Sequence, residues 1–425
     1  MKLDGQMTFS DLYAELLKSA AENNYGAYKK ILRRQEDSAA IDCLLHPSMY
    51  APVWKTEPCD CGGNGTPACA SRCIYSAIVR ETDGSLVIDR DRCVGCAECV
   101  EACASGKLTA SKDVLPVLDA LKNAPGPVFA MVAPAVAGQF GNVSMGRLRS
   151  AFKAIGFAGM VEVALFADIL TLKEALYFDK EIRTDEDFML TSCCCPIWIA
   201  MVRHGYAQYM SKIPDSVSPM AACGRAVKRL DPAAVTVFIG PCIAKKVEAR
   251  EKDLAGAVDF VLTFEETRDI FDAFHIDFAQ LTDDEKEHSS RAGRIYGRTG
   301  GVSEAVRDTV RRLNPHRFID VRAEQADGTK SCRAMLLRLQ EGEIKANYLE
   351  GMGCEGGCAG GPKVLIDTED GKCYVNMYGR ASSYDSPLDN PNVRDMLDRL
   401  GFESIESLLS DNLFTRHFED MTVKS

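Results

Sequence analysis

Thr191-Ser192-Cys193-Cys194-Cys195-Pro196-Ile197-Trp198 sets three consecutive cysteines between an apolar run, Phe188-Met189-Leu190, and a proline. The apolar run reads as a strand end. Pro196 reads as the first residue of a helix, where its missing N–H leaves no hydrogen bond unmade. Cys195 then lies in a strand-to-helix turn, facing a helix N-terminus that favours negative charge. A thiolate bound to an anionic metal cluster suits that seat. Adjacent side chains do not easily all ligate one ordinary metal ion, and read alone the stretch is equally a buried, inert group of cysteines.

Two other stretches change that balance. Val235-Thr236-Val237-Phe238-Ile239 reads as a second strand and runs into Gly240-Pro241-Cys242-Ile243-Ala244-Lys245-Lys246-Val247-Glu248. Glu350-Gly351-Met352-Gly353-Cys354-Glu355-Gly356-Gly357-Cys358-Ala359-Gly360-Gly361-Pro362 brings two more cysteines. Cys195, Cys242, Cys354 and Cys358 thus offer four thiolates from three loops, the ligand count of a cubane [4Fe–4S] cluster. The glycines at 356, 357, 360 and 361 are expected to let the backbone approach a bulky inorganic centre.

At these three stretches the chain resembles the [FeFe]-hydrogenases. The first resembles the motif Thr-Ser-Cys-Cys-Pro-x-Trp with one extra cysteine, the second Pro-Cys-x-x-Lys-Lys-x-Glu, and the third Met-x-Cys-x-Gly-Gly-Cys-x-x-Gly. The likeness continues at Met131-Val132-Ala133-Pro134, Phe166-Ala167-Asp168 and Gly297-Arg298-Thr299-Gly300-Gly301-Val302, and spans residues 125–365. The extra cysteine, Gly240 before Pro241 and Gly-Pro after the third motif mark a divergent branch.

The resemblance implies an α/β catalytic domain, with mixed or parallel sheets and flanking helices, around an H-cluster. That centre joins a cubane, through one bridging cysteine, to a diiron unit carrying CO and cyanide. Cys195, Cys242, Cys354 and Cys358 would hold the cubane, with Cys358 as the bridge. Lys245 would hold a cyanide through a charge-assisted hydrogen bond. Ala133 and Pro134 would pack on the diiron ligands, and Met352 would lie above the bridge. Ala135 stands where the family usually has serine, and Met220 and Gly240 replace other side chains of the pocket. Aligned on Pro196, Cys194 matches the proton-relay thiol, whose pKa nearby charge can bring towards neutrality, and Glu174 matches the next relay group. Tyr177 and Pro214 stand where an outer glutamate and serine are expected, so the likeness gives no outer path. Cys193, Cys223, Cys332 and Cys373 are expected to pack as small hydrophobes.

Residues 59–103 hold eight more cysteines. Cys93, Cys96, Cys99 and Cys103 have the C-x2-C-x2-C-x3-C spacing of a cubane site, while Cys59, Cys61, Cys69 and Cys73 are irregular apart from the closing x3 interval. Resemblance to two-cluster ferredoxins implies a small α+β domain with crossed ligation. One [4Fe–4S] cluster would use Cys59, Cys61, Cys69 and Cys103, the other Cys93, Cys96, Cys99 and Cys73. The C-x-C start, and Ile74 and Ala104 in place of the usual proline, depart from that pattern. Four-cysteine zinc sites are the alternative.

Composition is that of a globular protein: 425 residues, 46% hydrophobic and 26% charged. The net charge of −11, with no basic block, excludes nucleic acid as the expected partner. No apolar run reaches the length of about 18 residues that a membrane span needs. Met1-Lys2-Leu3-Asp4-Gly5-Gln6 lacks a signal core, so a cytoplasmic location is expected and 18 cysteines read as metal ligands rather than disulfides. None of the six histidines has zinc-finger spacing.

Four segments are expected: a helical segment over 1–55, the two-cluster ferredoxin-like domain over 56–110, the catalytic domain over 111–365 and a helical tail over 366–425. Thr8 with Asp11 reads as a capping box, and Leu12, Leu16 and Leu17 recur at helical spacing. In the catalytic domain, strands are expected at 128–132, 160–165 and 258–262, and helices at 145–155, 169–178, 268–274, 302–312 and 331–348. Residues 281–291 read as a solvated loop, Cys373-Tyr374-Val375 as a short strand, and 391–410 as amphipathic helices.

The function so implied is interconversion of H2 with protons and electrons. The two ferredoxin-like clusters would wire the site to ferredoxin or another redox protein, and maturation proteins would deliver the diiron unit. The alternatives are an H2 sensor of low turnover and an iron–sulfur assembly factor of the same fold without diiron. Lys245 speaks against the last, since a cyanide clamp is useless without cyanide.

Overall fold

The computed structural model describes residues 7–34, 38–59, 61, 65–82, 84–191 and 194–418. Ser192 and Cys193 lie outside them, so the packing expected of Cys193 has no counterpart to report. In chain order the strands are β1 (Val53–Lys55), β2 (Ile78–Arg80), β3 (Leu86–Ile88), β4 (Leu108–Ala110), β5 (Val128–Val132), β6 (Gly159–Glu162), β7 (Met189–Leu190), β8 (Val235–Gly240), β9 (Phe260–Thr263), β10 (Ala323–Asp327) and β11 (Tyr348–Met352).

The first four strands frame the cysteine-rich segment. β1 pairs antiparallel with β4, Val53 opposite Ala110, and β2 with β3. That first pairing draws residues 53–55 into the unit expected to begin at 56. Before it, the helices Phe9–Ala21, Tyr25–Arg34 and Ala39–Leu45 dock through Leu12, Leu16 and Leu17. Thr8 and Asp11 form the expected capping box, and the Tyr13 hydroxyl donates to Asp269 at 2.9 Å.

The half expected to be catalytic is α/β, with two parallel sheets ordered β6-β5-β8-β9 and β10-β11-β7. Alternation along β5 and β8 buries both faces of the larger sheet. Val128, Ala130, Val132, Val237 and Ile239 pack on one side, Met131 and Phe238 on the other. Trp198, Tyr348, Leu349 and Leu336 fill a further core around the smaller sheet. The carboxyl ends of β5, β7, β8 and β11 carry the loops singled out in the sequence, where open parallel sheets place their ligands.

Several boundaries differ from expectation. The run 160–165 is not one strand: β6 ends at Glu162, and a helix spans Val163–Glu181. Every residue from Val163 to Ala175 is buried, so this helix has no polar face to reveal its period. β9 begins at Phe260 rather than Val258, and the next helix starts at Phe264, where Thr263 and Glu266 form a capping box. The helix expected over 331–348 is Gly328–Gln340. Gly342, at φ +75°, lies just past its end in the left-handed region, leaving β11 to begin at Tyr348. Cys373-Tyr374-Val375 is not a strand but part of the helix Thr368–Arg380, capped by the Asp367 carboxylate on the N–H groups of Glu369 and Asp370. The 281–291 loop is solvated only in part, because Ser289 and Ser290 are fully buried and Ser290 donates from N–H and hydroxyl to Asp168. Among the described residues, no helix is long and apolar enough to cross a membrane.

Candidate metal centre and proton site

Pro196 opens the helix Pro196–Gly205, and Cys195 is its N-cap. The Cys195 sulfur is buried and accepts the N–H of Gly353 at 3.3 Å, tying the first cysteine loop to the third. Cys242 lies between β8 and the short helix Ala244–Glu248; Cys354 and Cys358 follow β11. The four thiols lie close enough to act on one another. Burial first, and then Cys195 and Cys358, push Cys242 up to about 12. Burial first, then Cys195, push Cys358 up to about 11, and burial first, then Cys242, Cys195 and Cys358, hold Cys354 well above the ordinary thiol range. Thiols so disfavoured as anions, gathered from three loops without a disulfide, form a soft donor set that a multi-iron cluster would satisfy by replacing their protons. Among the described residues, no three His, Cys, Asp or Glu close on a single-ion site. A cubane does not require that, because each thiolate binds its own iron.

The glycines of the third motif act differently from expectation. A Cβ on Gly357, at φ +75°, would stand 2.6 Å from the Thr299 nitrogen, and one on Gly360 would stand 2.0 Å from the Glu355 carbonyl oxygen. Their missing side chains let protein loops pack together around the cysteines.

Beside Cys358 is a cavity of about 50 Å³, lined by Ala133, Pro134, Cys194, Lys245 and Met352. These residues come from the ends of β5, β7, β8 and β11 and are the ones the sequence grouped. Met220 and Phe238 also line it. Phe238 is there because Gly240 has no side chain: a Cβ on Gly240 would lie 2.7 Å from the Phe238 ring. The Lys245 ammonium is buried and pairs with the Glu248 carboxylate at 2.6 Å. Burial opposes its charge, but Glu248 beside it outweighs burial and raises its pKa. The neighbouring Lys246 points the other way, donating to the Val261 carbonyl and to Glu266.

The charges that face Cys194 are anionic ones. Burial first, then Cys195, Glu174 and Glu350, hold it well above the ordinary thiol range. Glu174 is buried on the Val163–Glu181 helix and accepts the Tyr348 hydroxyl at 2.7 Å. Tyr177, one turn on, is half-buried and Pro214 is buried, so neither supplies the carboxylate or hydroxyl of the expected outer path. Cys223 and Cys332 are fully buried as expected, whereas Cys373 is exposed because its helix turns it to solvent. Glu248, Tyr296 and Tyr348 were not singled out by sequence. Glu248 stands inside a quoted motif, but nothing local marks either tyrosine.

In the small module, Cys59, Cys61, Cys69 and Cys103 line one cavity, of about 90 Å³. Cys73, Cys93, Cys96 and Cys99 line another. The closing cysteine of each run therefore faces the other run's set. Lys55 and Lys107 flank the first cavity, and Cys61 is exposed. Gly95, at φ +73°, packs against the Cys242 loop so closely that a Cβ would lie 3.0 Å from the Ala244 Cα, and the Cys96 thiol lies near enough to Cys354 to raise its pKa.

Known proteins bear on this arrangement. The chain is 26% identical over 374 residues to iron hydrogenase 1 of Clostridium pasteurianum, covering 67% of this chain and 65% of that one. It is 27% identical over 323 residues to the NADP-reducing hydrogenase subunit HndD of Solidesulfovibrio fructosivorans, covering 63% of this chain and 55% of that one. The chain thus spans less than two thirds of the length of either relative. Its fold resembles that of a variant of the [FeFe]-hydrogenase HydA1 from Chlamydomonas reinhardtii, with a TM-score of 0.56 at 22% identity over 71% of this chain and 98% of that one. Residues 126–362, more than half of the chain, match the family described as the iron only hydrogenase large subunit, C-terminal domain. The chain belongs to the iron-only hydrogenase large-subunit family.

Proposed function

We propose that the protein interconverts H2 with protons and electrons at an H-cluster held by Cys195, Cys242, Cys354 and Cys358. The observation that carries this reading is the cavity beside Cys358, where Lys245, Cys194 and Met352 meet Ala133 and Pro134. When bound, the diiron unit supplies the site of heterolytic H2 cleavage. Lys245, oriented by Glu248, would hold an anionic ligand in that cavity by a charge-assisted hydrogen bond. Cys194, protonated and facing the same cavity, would pass protons to and from Glu174. Phe238 and Met220 would keep water out.

In this reading residues 53–110 hold two [4Fe–4S] clusters in crossed ligation, supported by the two four-cysteine cavities. Electrons would pass between the Cys73-Cys93-Cys96-Cys99 set and the catalytic cubane across the Gly95 contact. They would leave by the exposed Cys61 side, to ferredoxin or another redox protein. Maturation proteins would deliver the diiron unit, and the setting would be the cytoplasm. The buried Lys245, which lines the cavity beside Cys358, favours this reading over an assembly factor without diiron. The test is to load the anaerobically reconstituted protein with a synthetic diiron cofactor, then record infrared spectra and assay H2 uptake and evolution. CO and cyanide bands with turnover are expected. Bands with negligible turnover would indicate an H2 sensor, and no bands would indicate an assembly factor.

A further inference from the structure

Two buried tyrosines approach the proton site, Tyr296 from the turn before the Gly301–Leu313 helix and Tyr348 from the start of β11. Thr171 and Glu174 stand three residues apart on the Val163–Glu181 helix and so share a face. Each meets a phenol: the Tyr296 hydroxyl is 2.8 Å from the Thr171 Oγ1, and the Tyr348 hydroxyl donates to the Glu174 Oε1 at 2.7 Å. The two contacts differ in what they can do. The Thr171 hydroxyl gives its one hydrogen to the Ala167 carbonyl at 2.7 Å, so Tyr296 donates to Thr171 and its proton is directed away from Glu174. Tyr348 donates to the carboxylate itself. It is fully buried at the start of β11, with its ring against Phe178, and backbone pairing with Met189 fixes its position.

We propose that Tyr348 is a positioning residue for proton transfer: its phenol pins the Glu174 carboxylate and keeps it in the form that accepts a proton from Cys194. The inference rests on the reading of Cys194 and Glu174 as proton carriers. In the step itself the Cys194 S–H bond breaks, its proton bonds to a Glu174 oxygen, and the phenol keeps its own proton throughout. Burial, and then the charge of Glu174, hold the Tyr348 phenol well above its ordinary pKa, so it remains a donor and does not itself ionise. Among the described residues, Glu174 acts on the charge of Tyr348, Tyr296 and Cys194. Tyr348 donates its hydroxyl hydrogen to the carboxylate, whereas Tyr296 donates to Thr171.

The test reads Glu174 directly, in reconstituted protein without the diiron unit, so it is independent of turnover. The protonated-carboxyl infrared band of Glu174, assigned by its loss in Glu174→Gln, is titrated with pH. Tyr348→Phe removes one hydrogen bond to a charged group and should raise the pH at which the band appears by about 1–2. Tyr296→Phe should leave that pH unmoved. Fluorotyrosine incorporated at position 348 keeps the shape, is a stronger donor and should shift the band the other way; it also serves if the phenylalanine variant does not fold. A Glu174 band that is absent or unshifted in the position-348 variants, or that moves equally in Tyr296→Phe, overturns the proposal. A shifted band in a protein that never turns over H2 would leave the Tyr348 contact standing and remove the functional reading instead.

Discussion

The two cysteine-bearing regions are built on opposite terms. The catalytic loops hang from the ends of two parallel sheets whose cores are filled by Trp198, Tyr348, Leu349, Phe152 and Ile239, and these cores exist without any metal. The small module has three-residue strands, and its buried centre is Val53, Cys69, Ala77, Leu86, Cys93 and Cys99. Half of that centre is candidate ligand. On the proposed reading the cavity beside Cys358 rests on a core that contains few ligands, whereas the module would depend on its clusters to complete its core.

The largest expected effect follows from that contrast. Reconstituted protein without the diiron unit should bind about twelve irons, four per cysteine set, and Cys99→Ala should lose about four. In Cys99→Ala, hydrogen exchange should become fast across residues 53–110 while β5 and β8 stay protected. Equal protection in the variant and the parent would mean that the module folds on its own and would erase the contrast.

Lys245 probes how preformed the catalytic cavity is. Lys245→Met leaves Glu248 buried without its partner and should lower unfolding free energy by about 3–5 kcal/mol in a denaturant titration. Adding Glu248→Gln should recover most of it. A single variant as stable as the parent would show that the pair is not fixed before the cluster arrives. In loaded protein, Lys245→Asn should retain the cubane but weaken retention of the diiron unit and shift the cyanide bands.

The join between the two regions offers a smaller effect. Gly95→Ala forces a left-handed backbone on a residue with a side chain, costing about 1–2 kcal/mol, and pushes a methyl against Ala244. Iron content should hold, while electron transfer from the module to the catalytic cubane slows. Unchanged transfer kinetics would mean that electrons enter elsewhere. Smallest of all, exposed Cys373→Ser should change stability by no more than about 0.5 kcal/mol, whereas fully buried Cys223→Ser should cost about 1–3 kcal/mol in the same melt.

The catalytic half was the more legible of the two in sequence. Alternating apolar strands such as 128–132 and 235–239 announce a buried parallel sheet, and Pro196 fixes which cysteine starts a helix. The Val163–Glu181 helix was half missed because a helix buried all round has no polar face to give its period, and β11 was missed although Gly342 and the polar residues from Glu341 to Asn347 separate it from the helix that ends at Gln340. The glycines of the third motif were given a reason that only loop-on-loop distances could correct. Spacing places Cys194 and Glu174 in one relay but cannot show which charges surround the thiol, and the groups that act on it are Cys195, Glu174 and Glu350. Tyr296 and Tyr348 come from the turn before the Gly301–Leu313 helix and from β11, more than a hundred residues from Thr171 and Glu174, so no local pattern connects them.

The central claim is that Cys195 belongs to the cluster and Cys194 to the proton site. Cys195 caps the Pro196 helix and accepts from Gly353, while Cys194 lines the cavity beside Cys358. Infrared spectra of the diiron-loaded parent, Cys194→Ala and Cys195→Ala test this most directly, with H2 turnover measured alongside. CO and cyanide bands should persist in Cys194→Ala while turnover falls by at least about 10²-fold, the lower range for a lost general acid–base group. Cys195→Ala should show no bands. Bands retained in Cys195→Ala and lost in Cys194→Ala would contradict the assignment of both residues.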